Sequence, residues 1–137
     1  MRKLLVLVVA VVALGFVFGQ EAQQPKFSVG LDMPTFAWVK SNANGEIQSL
    51  FGINLGLGVT YRSYLTPLAI ESGSIYWEAG TILLIDPYIG GGYDYRINEM
   101  LYVGGGLDIY PLNAFLGWGY GLFTAFIPNL HLGVYIF

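Results

Sequence analysis

No cysteine occurs in the 137 residues, so neither a disulfide framework nor a thiolate metal site is open to this chain. Charge is scarce as well: 11% of residues are charged, against about 25% in an average globular domain. Six basic residues face nine acids. Nucleic acid is therefore not an expected partner, because its phosphates are gripped mainly by Lys and Arg. The single histidine, His131, has no Ser-His-acid spacing around it, and one His without Cys cannot furnish a soft or borderline metal site. Gly90-Gly91-Gly92 and Gly104-Gly105-Gly106 resemble phosphate loops only superficially, since neither is followed by Lys-Ser or Lys-Thr. No catalysis, metal or cofactor is expected.

What the chain has in abundance is glycine, with 19 residues, and aromatics, at 16%. Disorder is excluded, because disordered chains are poor in aromatics and rich in charge. Arg2 and Lys3 precede an apolar run from Leu4 to Phe18, which predicts a cleaved signal peptide over residues 1–19. As an uncleaved anchor the run falls short of the roughly 20 residues a spanning helix needs. A short segment, 20–25, then leads into one domain, 26–137, and over residues 20–137 Lys26, Lys40, Arg62 and Arg96 stand against all nine acids.

That domain alternates. Phe51, Ile53, Leu55, Leu57, Val59 and Tyr61 interleave with Gly52, Asn54, Gly56, Gly58, Thr60 and Arg62. The same period of two recurs over 101–110 and 115–122, and it is the period of a strand. Turn-forming clusters cut the chain into eight predicted strands, about 26–39, 49–61, 64–71, 74–85, 87–97, 100–110, 114–126 and 129–137. Pro34 and Pro67 interrupt the first and third, and prolines are tolerated in strands mainly at ends, bulges or edges. The stretch from Ile109 to Phe137 has no charged residue and could pass for a membrane helix, but Gly117, Gly119 and Gly121 favour a strand.

The two faces of these strands differ in kind. Every charge well inside a strand, Asp32, Arg62, Glu78, Asp94, Arg96 and Asp108, shares a parity with the glycines, while the other parity carries large apolar side chains. A soluble barrel would hide the oily face. Here that face is too bulky to fill a small barrel, and the opposite arrangement, lipid outside and a polar interior, is that of a transmembrane barrel. The expected fold is all-β: an antiparallel up-and-down eight-stranded transmembrane β-barrel. Closure would leave no unpaired edge in hydrocarbon and would hold a small chain together without disulfides.

Several aromatics near strand ends, Trp38, Tyr61, Tyr64, Trp77, Tyr95, Trp118, Tyr120 and Phe126, are candidates for the interfacial girdles of such a barrel. Ordinary β-propensity is the other explanation. The candidate functional set is an interior polar network of Arg62, Glu78, Asp94, Arg96 and Asp108, accompanied by Tyr76, Tyr102 and Tyr110. Eight strands leave an interior about filled by side chains, so the network is expected to be a stabilising plug. A narrow path or small cavity is the alternative, because inward glycines vacate volume.

With its signal peptide, eight alternating strands and a terminus reading Leu132-Gly133-Val134-Tyr135-Ile136-Phe137, the chain resembles the small eight-stranded outer-membrane barrels, such as the membrane domain of outer-membrane protein A and outer-membrane protein X. The resemblance implies location in the outer membrane, contact with membrane lipids, and insertion by the outer-membrane assembly machinery, with Tyr135 and Phe137 as the C-terminal signal. It also implies that Phe137 and its alternate neighbours face lipid, whereas the apolar parity points Leu132, Val134 and Ile136 outward. Both termini would lie on the periplasmic side, with residues 40–48, 71–74, 97–99 and 127–129 at the far end. The role expected is structural or membrane-organising, alone or as part of an oligomer or larger envelope assembly. The alternatives are a secreted or periplasmic lipocalin-like barrel binding an apolar ligand and a narrow channel for small solutes.

Overall fold

The computed structural model describes residues 24–112 and 125–137. Within them run eight strands: β1 (Phe27–Leu31), β2 (Phe36–Ser41), β3 (Ile47–Ile53), β4 (Val59–Leu68), β5 (Ser72–Ile82), β6 (Asp86–Arg96), β7 (Leu101–Ile109) and β8 (Phe126–Ile136). Each pairs antiparallel with its neighbours in sequence, and β1 pairs with β8 to close the barrel. The signal-peptide segment 1–19 lies outside the described residues.

The strand count agrees with the sequence reading, but the allotment does not. The stretch 26–39 is a hairpin: Asp32 accepts a hydrogen bond at Oδ1 from the Met33 N–H (2.6 Å), and the Thr35 hydroxyl donates to the Asp32 carbonyl (2.8 Å). Such local bonds stabilise a turn, and Pro34 sits in that turn and not within a strand. The stretch 49–61 is also split, at a turn closed by Asn54, whose N–H donates to the Gly58 carbonyl and whose Oδ1 accepts from the Gly58 N–H, both at 3.0 Å. Its second half joins 64–71 to form β4, which runs unbroken through Arg62 and Ser63. The predicted strand at 114–126 lies almost wholly outside the described residues, and β8 begins at Phe126, ahead of the expected 129.

Folding the first stretch as a hairpin reverses the direction of β3, β5, β6 and β7 from that expected, while β8, eighth in both counts, keeps its own. The turns between β2 and β3, β4 and β5, and β6 and β7, which include most of 40–48 and all of 97–99, therefore lie at the same end as Phe27 and Ile136. The far end carries the turns 32–35, 54–58 and 83–85, and 127–129 lies within β8. This corrects the expected placement of the loops.

The inversion of faces is realised. Leu107, Ile89, Ile75 and Trp77 project outward, and Leu130 is 91% exposed, whereas Arg62, Glu78 and Asp94 are fully buried inside. Toward the terminus-bearing end the interior turns apolar, with Ala37, Ile47, Leu50 and Leu68 packed together beside Tyr64 and Tyr135.

Candidate functional site

The interior is organised around Arg62, carried by the middle of β4. Its Nη1 and Nη2 reach the two carboxylate oxygens of Asp32 at 2.8 and 2.9 Å, a two-point ion pair. Nε donates to Glu78 Oε2 on β5 at 2.7 Å, Nη1 also meets Asp94 Oδ2 on β6 at 3.1 Å, and Nη2 caps the Met33 carbonyl at 2.6 Å. The guanidinium lies over the Tyr76 ring, 4.0 Å from its centroid. A buried charge survives only when paired and hydrogen-bonded, and Arg62 has both kinds of support on every side.

Asp94 is the second hub. It accepts from the Tyr64 hydroxyl at 2.5 Å and faces His131 Nε2 at 2.6 Å. His131 Nδ1 lies 3.2 Å from Asn129 Oδ1, and the Asn129 amide donates to Asp108 Oδ2 at 2.8 Å. Tyr102 adds a bond to Asp32 at 3.2 Å. A continuous polar chain thus runs from Asp108 through Asn129, His131 and Asp94 to Arg62, Asp32 and Glu78. Glu78 Oε1 and Asp108 Oδ1 are buried without a hydrogen-bond partner among the described residues, on strands that flank Gly90 of β6.

Of the five candidates, Arg62, Glu78 and Asp94 meet directly. Asp108 joins them through Asn129 and His131. Arg96 stands apart: its guanidinium donates to the carbonyls of Gly45 (2.9 Å) and Glu99 (2.8 Å) and lies over the Tyr135 ring, 5.1 Å from its centroid. It ties the β2–β3 and β6–β7 turns to the barrel wall. Tyr76, Tyr102 and Tyr110 are all buried.

Sequence reasoning placed Asp32 on the inner face but left it out of the set, and it passed over His131. The signal for His131 was its position two residues from Gly133 on the glycine parity of the last strand. Tyr64, grouped with the interfacial aromatics, points inward, because it shares the parity of Arg62. Trp38, Tyr61, Trp77 and Tyr95 do face outward; Trp77, however, sits at the middle of β5 and not near an end. Trp118 and Tyr120 lie outside the described residues. Tyr135 is fully buried and stacks on Tyr102, while Ile136 is exposed, so these two follow the apolar parity and not the orientation the resemblance implied; Val134, expected to be outward, is buried.

At two inward glycines beside this cluster the space a side chain would need is already taken. A Cβ at Gly104 would collide with Asp94 Oδ1 and lie 2.5 Å from His131 Nε2, and one at Gly106 would collide with the Tyr76 hydroxyl. At these two positions polar side chains occupy the room that glycine leaves.

No family model, curated protein or solved structure matches the chain. What the fold and site define is a class, the closed eight-stranded antiparallel barrel with an ionised interior and an apolar exterior.

Proposed function

We propose that the chain is a small outer-membrane barrel protein, in the manner of the outer-membrane protein A and X barrels, with a structural or membrane-organising role and a polar, largely plugged lumen. The observation that carries this reading is the inverted wall: exposed Ile75, Ile89, Leu107 and Leu130 outside, buried Arg62, Glu78 and Asp94 inside. Removing such a wall from water gains roughly 25 cal/mol per Å² of apolar area, and acyl chains supply a solvent that covers the whole circumference. The role is non-catalytic, its partners being membrane lipids and the assembly machinery that inserts barrels, with self-association or a larger envelope assembly as the setting.

A lipocalin-like binder of an apolar ligand fits less well, because the ligand would displace the ion pairs of Arg62. A narrow solute channel would have to thread a space already held by Tyr76, His131 and Asp94. The test is electrophoretic mobility in SDS before and after boiling, together with carbonate extraction of membranes. A compact band that shifts on heating and a chain that stays with the membrane support the reading. A chain released into the aqueous fraction overturns it, and single-channel conductance above the lipid background would favour the channel.

A further inference from the structure

The two ends of the barrel are chemically unlike. Lys26, Lys40, Glu46, Glu71 and Glu99 all lie at the terminus-bearing end. At the other end the tips are apolar: Leu55 and Leu57 in the turn 54–58 are 72% and 75% exposed, and Leu83, Leu84 and Ile85 in the turn 83–85 are 58%, 68% and 76% exposed. Among the described residues there, Asp32 is turned inward onto Arg62 and Asp86 is half-buried with Oδ1 out of solvent.

Turns exposed to water normally carry Gly, Asn, Asp or Ser. Here Leu57, Leu83 and Leu84 hold φ of 55°, 50° and 62°, the left-handed region that costs a residue with a Cβ roughly 1–2 kcal/mol. Bulky leucine is thus kept at positions where glycine or asparagine would be easier. Four backbone N–H groups of the two turns are met from within the protein. Leu55 N–H donates to Thr35 Oγ1 (3.1 Å), Leu57 N–H to the Asn54 carbonyl (3.1 Å), Leu83 N–H to the Gly56 carbonyl (2.7 Å) and Ile85 N–H to the Ile82 carbonyl (3.1 Å). The Asn54 amide closes the set on the Thr81 carbonyl (2.9 Å). Each such partner lowers the cost of taking that N–H out of water into hydrocarbon.

The crown is continuous with the apolar wall through Ile53, Val59 and Ile89, and the wall is uneven in height. β1, β2 and β3 have 5, 6 and 7 residues, fewer than the about 9–11 a tilted spanning strand requires, whereas β4 to β8 have 9 to 11.

We propose that the crown formed by Leu55, Leu57, Leu83, Leu84 and Ile85 is a lipid-binding end: the charged rim stays in water, and the turns 54–58 and 83–85 end among acyl chains of the distal leaflet and do not emerge beyond it. This rests on the membrane reading above and adds to it a depth and a polarity.

The absence of cysteine makes single-site labelling clean. Leu57→Cys and Leu84→Cys in the crown, Ile75→Cys and Leu107→Cys on the wall, and Glu71→Cys at the rim would each carry a bimane label in full-length protein reconstituted in phosphatidylcholine vesicles. Quenching is read with bromine on the acyl chains and with iodide on both sides of the membrane. The expected result is that both crown labels are quenched by brominated chains, as the wall labels are, and several-fold less by iodide than the Glu71→Cys label. Crown labels open to iodide while the wall is quenched by lipid would overturn the proposal and leave the membrane reading intact. Crown labels shielded from both quenchers would mean that protein covers them, which also overturns it. Wall labels insensitive to brominated lipid would end both readings.

Discussion

Arg62 and Asp32, thirty positions apart, are joined by two parallel N–H to oxygen bonds inside the barrel, and this pair links the β1–β2 turn to the middle of β4. The pair explains how the shortest hairpin in the wall is held in place. Losing Arg62 would leave Asp32, Glu78 and Asp94 as uncompensated carboxylates. The Arg62→Ala variant is therefore expected to be less stable by about 3–5 kcal/mol, and Arg62→Lys to recover little of it, since an ammonium cannot meet three acids and a carbonyl from one plane. Urea unfolding in detergent, followed by tryptophan fluorescence, measures both.

Gly104 tests the packing of the interior. Gly104→Ala pushes a methyl group into Asp94 and His131, and overpacking of this kind costs about 1–3 kcal/mol. Gly45→Ala meets no atom within 4 Å and carries only the backbone penalty of its φ of 75°, about 1–2 kcal/mol. The temperature at which the compact band is lost in SDS should fall further for Gly104→Ala than for Gly45→Ala.

Much of this was readable from the residue order, and the failures have a common cause. The charged-and-glycine face was legible because a period of two runs through the middle of most strands; it breaks in β3, where Ile47 and Leu50, of opposite parity, are both buried across a register shift. The hairpin at 54–58 was not legible, because Ile53 and Val59 are register partners six residues apart and so keep the same parity. Alternation passes through the turn as though no turn existed. At 32–35 the partners Val29 and Phe36 differ in parity, and the only marker was the Asp-Met-Pro-Thr sequence. Missing the first hairpin placed the loops at the wrong end. The central roles of Asp32 and His131 were hidden for a different reason: composition assigns a residue to a face, but which of the inward side chains meet is decided by register around the ring.

In the proposed membrane setting, Leu107→Lys on the outer surface would put an ammonium against lipid. The expected loss is about 2–4 kcal/mol for folding into vesicles if the position is near mid-membrane. Denaturant titration of refolding into phosphatidylcholine vesicles gives the value, and an unchanged midpoint would contradict a lipid-facing wall.

The turn leucines predict a trade. Leu83→Asn with Leu84→Gly suits the left-handed backbone there and should raise stability in detergent by about 1–2 kcal/mol. The same double variant removes two apolar tips and should partition less well into vesicles. Comparing detergent unfolding with the vesicle-bound fraction separates the two effects.

The ring is closed by its shortest member. β1 has 5 residues and meets the far end of the chain at Leu132–Ile136, whereas β5 and β6, each of 11 residues, form a hairpin between sequence neighbours. A seam between opposite ends of the polypeptide can be zipped only after everything between them is in place, and long-range pairing of that kind is slow. The β1–β2 ladder has fewer paired positions, three against five, but its strands are tied together by the turn 32–35, and the β1–β8 seam has no such tie. Lateral parting of the cylinder, whether during biogenesis or under stress, would begin between β1 and β8.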